Sequence, residues 1–241
     1  MKRLKKTSEL MWVFGIVFVA LGVTICSKAD LGVSMIAAPA FILSEKLITL
    51  SSFFTVGVTE YLIQGVMLIL LCIILRKIDF RFLLSFVVAV IYGCTIDLFM
   101  LIFEGVVFNE IWLRWVMLIV GDIITAFGVA CFFRTYFPLQ VYELFVSQVS
   151  AKFGIALVKV KRFFDYSLLA ISLLLSIVLF WDFVSFDWTL IGYSCFHSIG
   201  LGTIITTLIN SILIMLSGKL LDRLFDPTPL FPKLADIIKS K

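Results

Sequence analysis

Residues 56–75 read VGVTEYLIQGVMLILLCIIL, twenty residues holding a single charge, Glu60. At 1.5 Å per residue, about 20 such residues cross the ~30 Å hydrocarbon layer of a bilayer. The apolar residues run continuously, whereas a membrane strand would alternate them with polar ones over about ten residues. A helix, which satisfies its own backbone in lipid, is therefore the spanning element. Comparable runs recur at 9–26, 82–103, 111–133, 163–181 and 188–215. The whole chain agrees: 62% of its 241 residues are hydrophobic, 15% are charged and mean hydropathy is +1.15, against about half apolar and a quarter charged in soluble domains. The sequence reads as an all-α, polytopic membrane protein of about six transmembrane helices.

Two shorter stretches, 31–47 and 137–153, carry polar residues, are bounded by charges, and begin at Gly32 and Pro138. Such segments are expected to be re-entrant or interfacial. Charge arbitrates. If both crossed, Arg76, Lys77 and Arg81 would lie outside and Glu104 and Glu110 inside, against the bias of Lys and Arg toward the cytoplasm. If neither crosses, the basic residues of 2–6, 76–81, 134, 152–162 and 219–241 share the cytoplasmic side with both termini. Glu104, Glu110, Asp182 and Asp187 then face out.

An internal repeat supports that count. Sliding the chain by about 106 residues lays Gly15 and Gly22 on Gly121 and Gly128, Lys28 on Arg134, Gly32 on Pro138, and Lys46 on Lys152. The halves are 1–108 and 109–225, followed by a short tail, 226–241. Three crossings per half is an odd number, so the second half is expected to be inverted relative to the first. Secondary transporters share that plan, with binding near the midplane between the halves. The basic N-terminus and first apolar run would pass for a secretory signal, but without a small-x-small cleavage site, and with a counterpart at 111–133, that segment is expected to be retained. The last helix is expected to continue over 216–225, where Lys219 and Arg223 share a face and Asp226-Pro227 supplies a stop.

Four short motifs lie along the chain: Gly22 followed by Ala29-Asp30-Leu31-Gly32-Val33-Ser34, then Gly93-Cys94-Thr95-Ile96-Asp97, Arg162-Phe163-Phe164-Asp165, and Gly200-Leu201-Gly202-Thr203. In order and spacing the chain resembles the YczE/YyaS/YitT group of bacterial integral membrane proteins. Ser34-Met35 stands where that group tends to place Pro-Trp or Pro-Asp, and Pro138 takes the glycine position of the second half. The resemblance implies a fold and the bacterial inner membrane more than an activity.

Five carboxylates fall within or at the ends of the membrane segments: Glu60, Asp97, Asp122, Glu143 and Asp165. An acidic side chain at the bilayer centre costs about 2.5–3.5 kcal/mol, so each is a candidate for binding substrate or carrying a proton. Glu60 and Asp165 are also placed where a helix N-terminus would favour an anion, and Asp165 follows Lys161 by one turn, a spacing that suits an ion pair. Asp97 and Asp122 lie deeper. No basic residue falls deep in these spans, so at least one of the two is expected to exchange a proton when a cation binds. Gln140, Glu143, Ser147 and Gln148 share one face of the second short segment, as either a cavity wall or an interfacial stripe. His197 suits a helix-to-helix hydrogen bond or proton transfer, and Gly202 and Thr203 suit close packing or a broken helix lining a site.

Other function classes find no footing. The chain lacks HExxH, GxSxG and a phosphate loop, so neither an enzyme nor a cofactor is expected. The five cysteines lie in apolar runs with no CxxC, and the single histidine has no Cys/His grouping, which argues against a metal. The basic loops are explained by topology, so nucleic acid is not an expected partner. The expected partners are the lipid bilayer and an unidentified small molecule, with homo-oligomerisation left open. The reading is a small secondary transporter or permease, its cargo cationic or proton-coupled. The alternatives are the substrate-binding membrane subunit of a vitamin-uptake complex and a non-transporting accessory protein.

Overall fold

The computed structural model describes residues 8–180, 198–226 and 228–232, and these contain eight helices and no strand. Six are long and apolar enough to cross a membrane: α1 (Ser8–Lys28), α3 (Val56–Leu75), α4 (Phe80–Ile102), α5 (Ile111–Phe132), α7 (Leu157–Leu179) and α8 (Leu201–Leu224). Two are short, α2 (Ala38–Leu47) and α6 (Val141–Phe153). The chain is a multi-pass α-helical membrane protein.

Local chemistry sets most of the boundaries. Thr55 caps α3 by accepting the Val58 amide at 3.2 Å, Pro39 stands in the first turn of α2, and α3 and α6 end on left-handed residues, Arg76 and Gly154. Two spans differ from expectation. α7 starts at Leu157 rather than 163, because helix continues through Lys159, Lys161 and Arg162 without a breaker. The last described helix starts at Leu201, and residues 188–197 of the expected span lie outside the described residues. Ser198 is left-handed (φ 59) and Gly200 is extended, so helix is interrupted just before it. As expected, α8 continues past 215, to Leu224.

The helices are apolar outward and small or polar inward. On α3, Val66, Ile69 and Ile73 are exposed while Thr59, Glu60 and Gln64 are buried. On α8 the buried stripe is Gly202, Thr203, Thr206, Thr207 and Asn210. That polarity suits hydrocarbon outside, where lipid competes with side chains for apolar contact and packing falls to small residues and hydrogen bonds.

α1 and α5 form the centre of the bundle and run antiparallel. A Cβ on Gly22 would come within 2.5 Å of the Gly121 carbonyl oxygen, and one on Gly128 within 3.1 Å of the Gly15 carbonyl. Gly15, Gly22, Gly121 and Gly128 are thus the residues that bring the two backbones together. α4 packs on α1 as α8 packs on α5, and α2 packs on α7 as α6 packs on α3.

Opposite ends of the bundle are tied differently. At one end, Ser8 of α1 bonds Thr135 beyond α5, the Arg134 guanidinium bonds both Asp222 oxygens at 2.6 and 2.8 Å, and Glu9 accepts the Leu230 and Phe231 amides. At the other, Arg114 pairs with Asp30 at 3.0 Å, and the loop after α1 docks on the start of α8. There Leu31 accepts the Gly202 amide at 2.9 Å, Val33 accepts the Thr203 hydroxyl at 2.6 Å, and the Val33 amide bonds Ser198 at 2.9 Å. Gly32 is required at this junction: its φ is +102°, and a Cβ would lie 2.3 Å from the Gly200 nitrogen.

Candidate functional site: a buried ionisable cluster

Four of the five carboxylates singled out in the sequence converge inside the bundle. Glu60 (α3), Asp122 (α5), Glu143 (α6) and Asp165 (α7) are each at most 3% exposed. The chain reaches this arrangement through α6. Gln64 accepts the Val141 amide at 3.3 Å, which seats the start of α6 on α3, and its own amide reaches Glu60 one turn earlier at 3.4 Å. From there the Gln140 side chain reaches the Tyr92 hydroxyl of α4, and Glu143 comes into electrostatic range of Glu60.

Lys161 stands at the centre. It forms an i,i+4 ion pair with Asp165 in which the side chains are 6% and 1% exposed. It also interacts electrostatically with Asp122 and with Glu143. The absence of a basic residue from the spans is therefore corrected. The expected span begins at 163, whereas α7 begins at Leu157, and its extra turns carry Lys161 inward. The same extension moves Asp165 out of the first turn, so its partner is Lys161 rather than the helix N-terminus. One buried ammonium faces several carboxylates. Glu60 faces the Tyr142 hydroxyl, but among the described residues Asp122 Oδ2, Glu143 Oε2 and Asp165 Oδ2 have no hydrogen-bond partner, so the carboxylates around Lys161 hold acceptors that no donor meets.

Gln140 and Glu143 are buried, and Ser147 and Gln148 are partly so, which turns the polar stripe of α6 into the protein. Next to it lies a cavity of about 640 Å³ between the ends of α5 and α8, α6 and the start of α7. Lys161, Ser147 and Ser211 line it with apolar side chains that include Phe132, Leu157 and Ile214. Arg134, Lys219 and Asp222 stand on its walls toward the end of the bundle.

The remaining candidates lie elsewhere. Asp97 accepts the Thr55 hydroxyl at 2.7 Å and the Gly57 amide at 2.8 Å, so its carboxylate serves the N-terminus of α3 beside the Gly57–Gly93 crossing. Gly202 and Thr203 hold the loop after α1. His197 lies outside the described residues, as do Asp182 and Asp187. Sequence reading missed Gln64, Tyr92, Lys161 and Asn210 as members or neighbours of the polar interior. The signal for Gln64 was its place one turn after Glu60, and for Lys161 one turn before Asp165.

A family model described as a family of unknown function (DUF6198) matches residues 6–219. No curated protein and no solved structure matches the chain.

Proposed function

We propose, for a chain that belongs to the family of unknown function DUF6198, that it is a small secondary permease whose buried carboxylates carry coupling protons or hold a cationic group. The observation that carries this is the cluster of Asp122, Glu143 and Asp165 around Lys161, with Glu60 in range of Glu143, against a cavity that Lys161 itself lines. A buried charge that serves packing alone is expensive, and apolar residues of the same volume would do as well or better. Several carboxylates around one ammonium need protons or a cation to offset them, and a cavity gives both a route.

The arrangement of elements supports two inverted halves. Each half runs long, short, long, long. A two-fold axis that exchanges the halves turns the Gly22–Gly121 contact into the Gly128–Gly15 contact, as antiparallel α1 and α5 require. The end of α1 and the start of α3 both lie at the end of the bundle where α5 begins: Cys26 bonds the Leu118 carbonyl, and Thr55 meets Asp97 near the end of α4. That favours a re-entrant α2, and the Ser8–Thr135 contact with the shared cavity favours the same for α6. The motif resemblance to the YczE/YyaS/YitT group, a bacterial inner membrane and cytoplasmic termini belong to this reading. No enzymatic step, cofactor or nucleic-acid partner is part of it.

Reconstitution into liposomes with an internal pH-sensitive dye tests it. Some members of a broad metabolite panel should elicit proton movement in the wild type, and Glu143→Gln and Asp122→Asn should abolish it. A wild-type protein that gives no substrate-dependent or pH-dependent flux across the panel removes the transport reading.

A further inference from the structure

Within that permease reading, we propose that the cavity between α5, α6, α7 and α8 binds a small organic anion with an apolar body, and that Lys161 exchanges Asp165 for the anion. The lining sets the ligand's shape. About 640 Å³ suits a small metabolite, and the walls are mainly apolar, Phe132, Phe133, Leu139, Leu157, Ile214 and Met215 among them. The charge on the lining sets the sign. Among the described residues Arg134, Lys161 and Lys219 are its cations and Asp222 its anion, and both Asp222 oxygens are already bonded by Arg134. Arg134 and Lys219 lie toward the basic end of the bundle, where topology accounts for them. Lys161 is different, because it is buried and still lines the cavity. The Ser211 hydroxyl, also on the lining, has no hydrogen-bond partner among the described residues and supplies the cavity with a neutral donor.

The groups facing Lys161 couple anion to proton. They are Asp165 on its own helix, Asp122 on α5 and Glu143 on α6, with Glu60 of α3 in range of Glu143. An anion at the ammonium would be repelled by this group while it stays ionised. The balanced step is therefore that Lys161 keeps its proton and pairs with the incoming anion, while the carboxylate it releases, Asp165, takes one proton from water. One anion and one proton enter together, and the net charge of the site does not change. A cationic cargo would instead have to share the cavity with Arg134, Lys161 and Lys219.

The test uses probes whose charge is independent of pH: benzenesulfonate, benzyltrimethylammonium and neutral benzyl alcohol, added to the full chain in detergent. Benzenesulfonate alone should raise the thermal midpoint of the wild type. Its affinity should increase as pH falls, by up to about tenfold per unit for one proton taken up, and a dye in weakly buffered solution should report that uptake. The charge-neutral double variant Lys161→Met, Asp165→Asn should lose the response. Stabilisation by benzyltrimethylammonium instead overturns this inference and leaves the permease reading intact. A benzenesulfonate effect equal in the double variant, or one without proton uptake, overturns it too. Proton-linked benzenesulfonate binding in a protein that shows no flux in liposomes upholds the site and removes the permease.

Discussion

Lys161 and Asp165 show why a buried pair must be judged as a pair. Lys161→Met leaves Asp165, Asp122 and Glu143 without their shared ammonium, a loss of about 3–5 kcal/mol by the usual cost of orphaning a buried charge. Replacing both partners, Lys161→Met with Asp165→Asn, should restore most of that stability. Denaturant unfolding in detergent micelles checks the ordering, and equal destabilisation of single and double variants would show that the pair is not the main partner of either residue. Asp97 obeys different chemistry. Its two bonds, to Thr55 and Gly57, serve one helix start, so Asp97→Ala should cost about 1–3 kcal/mol by leaving the two donors unmet. Asp97→Asn keeps an acceptor and should cost less in the same measurement.

At the scale of elements, the α1–α5 crossing is the closest backbone contact at the centre of the bundle. A side chain at Gly22 would point at the Thr125 and Gly121 backbone, which cannot turn aside as a flexible side chain would. Gly22→Leu and Gly121→Leu should therefore separate the helices and cost at least the ~1–3 kcal/mol typical of overpacking. The expected readout is loss of monodisperse protein on size-exclusion chromatography. Gly105→Leu is the control. That glycine has no heavy atom within 4 Å of an added Cβ, and although its φ of +77° adds strain, the helix pair should survive. The short helix α6 has its own task, carrying Glu143 from the Gln64 contact at its start to Lys161. It is the element that joins the Glu60 carboxylate of α3 to those near Lys161.

For the whole molecule, orientation is the open question that charge answers. Single cysteines placed at positions 104–110 should react with an impermeant maleimide from outside intact cells, while those at Lys159 and Lys219 should react only after permeabilisation. Opposite labelling of either set would overturn the inverted arrangement. The sequence by itself determined the membrane class and the long apolar helices able to span it. Those depend on hydropathy summed along a continuous run, as at 56–75, and a helix in lipid needs no partner to satisfy its backbone. It also determined that Glu60, Asp122, Glu143 and Asp165 needed explaining, since a carboxylate in an apolar segment is costly wherever it points. Only the tertiary structure decided which of them meet. Asp97 and Asp122 look alike as acids within apolar spans, yet one caps a helix start and the other faces Lys161, because contact depends on how α3, α5, α6 and α7 rotate and cross. Lys161 itself was hidden by hydropathy, which counts a lysine as a reason to end a span. A carboxylate one turn away and a packed interior are what let α7 carry that charge inward.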